Sequence, residues 1–205
     1  MNDATPIIRK GRKFDQVLDG ARQVFMEGGF ERASVDEIAR VAGVSKATLY
    51  SYFPDKRLLF VEVLRSVCEG QARYVLDQID KAAPPREVLG FAGRSFLRFV
   101  STGPGLQIFR ICVSETAEFP ELGRAAFESG PEVMRVEMGA YFACAEARGE
   151  LKIDDYALAA AQFAEMCKAE IWISLLFGVK DTVTEAEIDR VVDGAVDTFM
   201  ARYGT

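Results

Sequence analysis

Hydroxyl, cationic and small side chains are concentrated in one short stretch of the chain. Lysine and hydroxyl groups can bond phosphate oxygens, and a helix N-terminus attracts anions. Alanine or the threonine methyl group can meet a thymine methyl group. These side chains could therefore contact duplex DNA. The residues concerned are Ser45, Lys46, Ala47, Thr48, Tyr50, Ser51 and Tyr52.

Two short helices joined by a tight turn must position these groups. Ser34 is a good N-cap and Glu37 follows three residues later, which predicts a capping box and a helix start. Gly43 suits the left-handed turn at the end of that helix, and Ser45 caps the next one. This spacing is typical of a helix-turn-helix unit, whose second helix enters the major groove of DNA. The alternative is a packed helical hairpin with exposed tyrosines, in which Leu49 still points inward.

The stretch VSKATLYSYFPDKRLLF resembles the signature of the TetR (tetracycline-repressor-type) regulators. The family pattern is a Gly-Val-Ser turn, Thr-hydrophobic-Tyr, an aromatic pair ending in Phe, and a following Lys. This chain matches it with Gly43-Val44-Ser45, Thr48-Leu49-Tyr50, Tyr52-Phe53 and Lys56. The run SETAEFPELGRAAFESGPEV is similar to the AefR-like C-terminal subtype of the same family.

The resemblance implies roles for individual residues. Lys46 and Ala47 sit where the family reads bases, and Thr48 contacts phosphate or base edges. Tyr50 has the same expected role as Thr48, whereas Tyr52 and Lys56 are expected to contact phosphate. The predicted DNA contacts also include Ser34, Ser45, Ser51, Arg9, Lys10 and Arg12.

A basic cluster, which also contains Lys13, precedes the first helix. It could be an arm that touches the phosphate backbone or reaches into the minor groove, or simply a solvated tail.

The distribution of charge fits a local contact with DNA. The net charge is −6, but residues 1–60 hold ten Lys and Arg against eight Asp and Glu. The remainder holds fifteen against twenty-three. Positive charge is therefore local, and the protein should bind nonspecific DNA weakly and depend on a shaped, dimeric contact.

Several functional classes lack support. The chain has no histidine, G-x-S-x-G motif, phosphate-binding glycine loop or paired metal carboxylates, so we predict no enzyme, no metal and no cofactor. Four cysteines at positions 68, 112, 144 and 167, without a CxxC motif, predict mostly buried, reduced thiols of a cytosolic protein, with a redox sensor as the alternative. No signal segment and no run near the ~20 apolar residues of a membrane span are present. We therefore expect a cytoplasmic protein with no membrane partner.

We predict an all-α fold of about nine helices, because no stretch shows sustained strand alternation bounded by hairpin turns. A helix-turn-helix DNA-binding domain is expected over residues 9–57 and a connecting helix over residues 58–83. A helical ligand-binding and dimerisation domain follows over residues 84–205. Its later helices are predicted over residues 157–178, capped by Asp154 or Asp155, and after Thr184, where Glu187 completes a capping box.

The second domain is expected to form a homodimer. One recognition helix covers only a few base pairs, so useful specificity needs two. The apolar stripes of the last two helices are predicted to form a four-helix interface across a two-fold axis, although they could simply pack within their own domain. The stripes consist of Ala160, Phe163, Cys167, Ile171, Leu175, Ile188, Val192, Ala195 and Phe199.

A small, mainly apolar effector is the second expected partner. Large rings and flexible Met side chains in a helical bundle can leave a cavity, although most such residues are ordinary core. We expect the effector to shift the connecting helix and change the separation of the recognition helices, which must be about 34–36 Å apart. The candidate residues are Phe96, Phe99, Arg110, Ser114, Met138, Phe142, Met166, Glu170 and Trp172.

By resemblance, the chain is expected to be a repressor that binds a palindromic operator in double-stranded DNA and is released by the effector. The alternatives are a ligand-responsive activator and a helical small-molecule carrier whose helix-turn-helix is inert.

Overall fold

The computed structural model of the protein describes residues 11–205 and confirms the all-α prediction. Its described residues form eleven helices rather than about nine, with a single isolated antiparallel bridge between Leu151 and Gly204. The helices are α1 (Arg12–Arg32), α2 (Val35–Ala42), α3 (Lys46–Tyr52), α4 (Lys56–Gln78), α5 (Pro85–Ser101), α6 (Gly103–Glu115), α7 (Pro120–Ser129), α8 (Pro131–Ala147), α9 (Tyr156–Cys167), α10 (Ile171–Leu176) and α11 (Glu185–Tyr203).

The chain divides into two compact units between Ser66 and Val67, a point inside α4. The first unit packs its helices around an aromatic cluster. Phe25 stacks on Phe30 with ring centroids 5.8 Å apart and meets Phe60 edge-on at 5.0 Å. Helix α1 loses helical geometry at Gly29 (φ 75°, ψ 173°), a backbone conformation that glycine adopts without steric cost. The cluster fixes the outer helices around the two-helix unit that carries the candidate site.

The second unit, α5 to α11 with the end of α4, has one large core. Phe199 on α11 stacks on Phe142 of α8 at 5.1 Å and meets Phe163 of α9 edge-on at 5.6 Å. Arginines of α5 also hold α11 in place from outside the core, because Arg94 donates hydrogen bonds to both Asp189 and Asp193. The acidic residues of α11 are thus paired with arginines of α5, a contact that no local sequence pattern predicts.

All nine residues of the predicted dimer stripe are buried inside the single chain, so their side chains are already packed without a partner. Helices α5 and α8 cover them, as the ring contacts of Phe163 and Phe199 illustrate. Periodicity identifies a face that must be covered, but it does not identify what covers it. The nine buried residues are Ala160, Phe163, Cys167, Ile171, Leu175, Ile188, Val192, Ala195 and Phe199.

The helix predicted over residues 157–178 begins as expected, with Asp155 as its cap, but breaks into α9 and α10. Glu170 has φ 67° and ψ −49°, and the amide of Ile171 donates to the Ala169 carbonyl at 2.8 Å. A non-glycine residue in such a conformation costs about 1–3 kcal/mol and persists only where packing imposes it. No Gly or Pro marks the break, so local sequence could not predict it. The capping box of Thr184 and Glu187, by contrast, is present.

Candidate nucleic-acid interface

The first helix of the predicted motif begins as its cap requires. The Ser34 hydroxyl accepts the Glu37 amide at 3.1 Å, and α2 starts at the next residue. The reciprocal half of the predicted capping box is replaced by an ion pair, in which Arg40 donates to the Glu37 carboxylate at 2.6 and 3.0 Å. This pairing lowers the pKa of Glu37. The N-terminus of α2 is therefore capped by the Ser34 side chain alone.

The turn between the two helices has the predicted geometry. Gly43 is left-handed (φ 65°, ψ 33°), and the amide of Val44 reaches back to the Ala39 carbonyl at 3.0 Å. Ser45 then caps α3 by accepting the Thr48 amide at 3.1 Å. Leu49 is fully buried beneath the helix. These bonds position α3 as the second helix of a helix-turn-helix.

One side of α3 faces solvent, and most of the predicted contact residues lie on it. Tyr50 is half exposed, at 50%, while Thr48 and Tyr52 are half-buried. The Tyr52 ring meets Phe14 of α1 edge-on at 5.7 Å. The Ser51 hydroxyl donates to the Thr48 carbonyl at 2.6 Å. The exposed members of the face are Ser45, Lys46, Ala47, Tyr50 and Ser51.

Lys46 has an acidic neighbour that the sequence pattern does not predict. Its ammonium group pairs with the carboxylate of Asp36 on α2, and both side chains are largely exposed. An exposed pair of this kind is worth about 0–1 kcal/mol, so a phosphate could displace it. No sequence pattern links these two positions, because their proximity follows only from how α2 and α3 cross.

Lys56 bonds within its own unit. Its Nζ donates to the carbonyls of Phe30 at 2.8 Å and Glu31 at 3.4 Å, and it lies 4.4 Å from the centre of the Phe30 ring. Those carbonyls belong to the last turn of α1, where a cation offsets the helix dipole. The phosphate contact that the family resemblance implies for Lys56 would have to share or replace these bonds.

Replacing Lys56 with methionine should therefore reduce the stability of the protein. Losing a charged donor from partly buried carbonyls costs about 1–3 kcal/mol, which denaturant unfolding would measure. If the ammonium also contacted phosphate in each of two protomers, the slope of log affinity against log salt would fall by about 2. An unchanged unfolding free energy would contradict the capping role.

Only part of the predicted basic arm lies among the described residues. Arg9 and Lys10 lie outside the described residues, whereas Arg12 and Lys13 are exposed at the start of α1. Phe14, in the same turn, contacts both Tyr52 and Phe53. The start of α1 therefore lies beside the end of α3, where an arm preceding it could reach the same duplex.

The side chains predicted to bind the effector differ in their partners and in their burial. Arg110 on α6 donates to the Leu175 carbonyl at 2.6 Å, and Glu170 pairs with Arg190 at 2.8 Å. Ser114 is exposed and bonds its own helix at the Ile111 carbonyl. Of the apolar candidates, Met138 and Phe142 belong to the packed core, whereas the half-buried ones are Phe96, Phe99, Met166 and Trp172.

The cysteines are free thiols of unequal burial. Cys112 and Cys167 are buried, and burial raises the pKa of each to about 12. Such thiols are not ionised at neutral pH. Cys68 is half-buried and Cys144 is exposed, so the prediction of mostly buried thiols holds for only part of the set.

Within residues 11–205, no cluster of acidic or cysteine side chains could hold a metal ion. None of the described helices combines the length and apolar character needed to cross a membrane.

Two family models match the chain. Residues 17–63 match the bacterial regulatory proteins of the tetR family. Residues 87–205 match the AefR-like transcriptional repressor C-terminal domain. The two matches cover both units, so the sequence resemblance extends to most of the chain.

Curated relatives are also regulators. The transcriptional activator FasR of Mycolicibacterium smegmatis is 34% identical over 85 residues, which are 42% of this chain and 39% of FasR. The regulator YezE of Bacillus subtilis is 26% identical over 190 residues, 90% of this chain and 94% of YezE. The chain thus matches less than half the length of FasR but nearly all of YezE.

Solved structures share the whole architecture. A regulator from Mesorhizobium loti, described as TetR-family, superposes with a TM-score of 0.85 at 28% identity, over 95% of this chain and 98% of that one. The flavonoid-responsive regulator FrrA gives a TM-score of 0.74 at 32% identity over the same shares.

Proposed function

Because this chain belongs to the TetR family of transcriptional regulators, we propose that it is a dimeric repressor that binds a palindromic operator and leaves it when a small effector binds. It is a DNA-binding regulator and not an enzyme. The observation that carries the proposal is the solvated edge of α3, with Lys46 and Tyr50 exposed above a buried Leu49. Since a regulator acts where the chromosome is, we place it in the bacterial cytoplasm.

We retain all the residues predicted to contact DNA and divide them by their proposed role. Lys46 and Ala47 are positioned to reach base edges, because they open the recognition helix on its solvated side. The remaining members supply phosphate contacts that fix register. These are Ser34, Ser45, Thr48, Tyr50, Ser51, Tyr52, Lys56, Arg9, Lys10 and Arg12.

Selection from a random duplex library tests the proposal. A dimeric regulator should enrich an inverted repeat whose half-sites are about 34–36 Å apart, or one helical turn. A carrier with an inert helix-turn-helix would enrich nothing, and that result would refute DNA binding.

Repression is favoured over activation by the description of the C-terminal family model. The alternative is a ligand-responsive activator, as FasR is named. Transcription in vitro from the selected operator separates the two, since the repressor lowers transcript yield and effector restores it.

Asp36 should limit affinity for DNA by pairing with Lys46. Replacing Asp36 with asparagine frees the ammonium group and removes a negative charge near the phosphates. We expect affinity to rise about two- to tenfold, with the larger gain at low salt. Asp19→Asn on α1, which makes the same charge change, is the matched control. Equal gains from both variants would show a net-charge effect and contradict the local pairing.

An effector site is proposed near the end of α5. Phe96 and Phe99 are half-buried there. Ser101 is 4% exposed, and its hydroxyl has no hydrogen-bond partner among the described residues. A buried hydroxyl without a partner costs about 1–3 kcal/mol, so a polar group on a mainly apolar effector could satisfy it. The name of FrrA, a flavonoid-responsive relative, supports a ring-containing effector class.

Replacing Ser101 with alanine should weaken the effector response without lowering stability. Thermal unfolding against a panel of flavonoids, other planar aromatics and long-chain acyl-CoAs would first identify a stabilising class. The Ser101→Ala variant should then unfold at or above the original temperature and show a smaller ligand shift. Ser129→Ala, which removes a buried hydroxyl bonded to the Ala125 carbonyl, is the control. A full ligand shift in Ser101→Ala would remove this residue from the site.

A further inference from the structure

The first turn of α1 has one buried side chain behind exposed neighbours. Phe14 is 2% exposed, whereas Arg12 and Lys13, just before it, are exposed. Gly11, at the N-cap, has no side chain to cap the helix, although its carbonyl accepts the amides of Phe14 at 2.7 Å and of Asp15 at 3.2 Å. Packing of the Phe14 ring therefore fixes this turn where a side-chain cap is lacking.

The Phe14 ring packs on the end of α3. It meets the Tyr52 ring edge-on, with the centroids 5.7 Å apart and the ring planes at 79°. It also lies 5.4 Å from the ring of Phe53, which is itself buried. The Tyr52 and Phe53 centroids are 6.4 Å apart, so the three rings form one cluster. This cluster joins the first turn of α1 to the last residue of α3 and to its C-cap.

Tyr52 brings the one polar group of the three-ring cluster. Its ring is half-buried, and its hydroxyl has no hydrogen-bond partner among residues 11–205. A tyrosine ring can turn about two side-chain dihedrals, and edge-on contact with a second ring is an attractive geometry. The contact with Phe14 therefore favours one orientation of the Tyr52 ring and places the hydroxyl at one point beside α3.

We propose that Phe14 is a positioning residue for DNA binding, which fixes the Tyr52 ring so that its hydroxyl meets a backbone phosphate. The inference rests on the proposed DNA-binding function and extends it to a side chain too buried to touch DNA itself. A hydroxyl that is held in place before binding loses less conformational freedom when its contact forms. Phe14 should therefore strengthen operator binding through Tyr52 and not only through the stability of the fold.

The other aromatic cluster of the same unit supplies a matched control. Phe25 is fully buried, and its ring pairs with Phe30 and Phe60 rather than with a ring of α3. Phe25→Leu should therefore destabilise the fold in the same way as Phe14→Leu while leaving the Tyr52 hydroxyl in place.

A double-mutant cycle on operator affinity tests the inference. Tyr52→Phe keeps the ring and removes the hydroxyl, so binding should weaken about tenfold or more, since a hydrogen bond to a charged phosphate is lost at both half-sites. Phe14→Leu should weaken binding about three- to tenfold in the parent chain, but less than about twofold once the hydroxyl is absent. Phe25→Leu should change affinity less than about twofold in either background.

Circular dichroism at the assay temperature shows which variants are folded. If Phe14→Leu is not, Phe14→Met replaces it in the cycle, because methionine supplies a flexible apolar side chain without a ring. The same loss of coupling is expected from both variants, since both remove the ring that meets Tyr52.

The outcomes separate this inference from the proposed function. Equal losses from Phe14→Leu with and without the Tyr52 hydroxyl would overturn the inference, as would unchanged affinity in Tyr52→Phe. The same coupling between Phe25→Leu and Tyr52→Phe would also overturn it, because it would show a general effect of destabilisation. A parent chain that enriches no duplex in the operator selection would refute the proposed function itself.

Discussion

Replacing Tyr50 with alanine is expected to lower operator affinity at least ~30-fold, because a hydrogen bond to a charged phosphate, worth about 1–3 kcal/mol, is lost at both half-sites. Tyr50 is half exposed on α3 and the packing beneath it comes from Leu49. The truncation should therefore leave folding and dimerisation unchanged. Fluorescence anisotropy with the selected operator measures the loss.

Tyr74→Ala is the matched control for this substitution. Tyr74 is a 57% exposed tyrosine on the part of α4 that belongs to the second unit. It should keep full operator affinity. Unchanged affinity in Tyr50→Ala, with the fold intact, would refute α3 as the recognition helix.

The second large effect is expected at Gly20, where α1 packs closely against the end of α2. A Cβ atom there would lie 2.7 Å from the Ala42 backbone nitrogen and 2.8 Å from its Cα and Cβ. Backbone atoms cannot swing aside as a flexible side chain would. Gly20→Ala should therefore push the two helices apart, lower the unfolding free energy by about 1–3 kcal/mol, and reduce operator affinity with it.

Gly28→Ala, on the same helix, is the control for Gly20→Ala. The nearest atom to a Cβ at Gly28 is the Arg32 Cβ, 3.8 Å away, which is ordinary contact. Alanine there should be neutral or slightly stabilising. Calorimetry on both variants measures the difference, and equal stability of the two would contradict the close-packing argument.

The helix-turn-helix could be predicted from sequence because its determinants are local. Ser34, Gly43 and Ser45 act on backbone groups within a few residues of themselves, and the structure places all three as caps or turn. The TetR signature then restricted the remaining choices. Because the local cap and turn residues and the family pattern indicate the same structure, the helix-turn-helix could be predicted from the sequence.

The pairing of helix faces could not be predicted in the same way. The spacing of Phe163 and Cys167 on α9, or of Val192 and Phe199 on α11, indicates a buried side but not the surface that buries it. Helix α5, one of the two helices that cover these residues, lies far away in sequence. The prediction assigned to a partner chain what α5 and α8 already supply.

Polar partnerships were missed for a related reason. The pair between Lys46 and Asp36 and the bonds from Lys56 to the end of α1 depend on how helices cross. The break at Glu170 likewise has no neighbouring Gly or Pro that would indicate the end of a helix. These features follow from tertiary packing, which outweighs local helix propensity.

We propose that α3 reads base edges in two symmetric half-sites. Operator selection repeated with Lys46→Ala tests this base contact, because loss of one base contact relaxes specificity at one position. Base preference should disappear at a single position, mirrored in both half-sites, while the rest of the inverted repeat is retained. An unchanged preference at every position, or a uniform weakening across all of them, would contradict it.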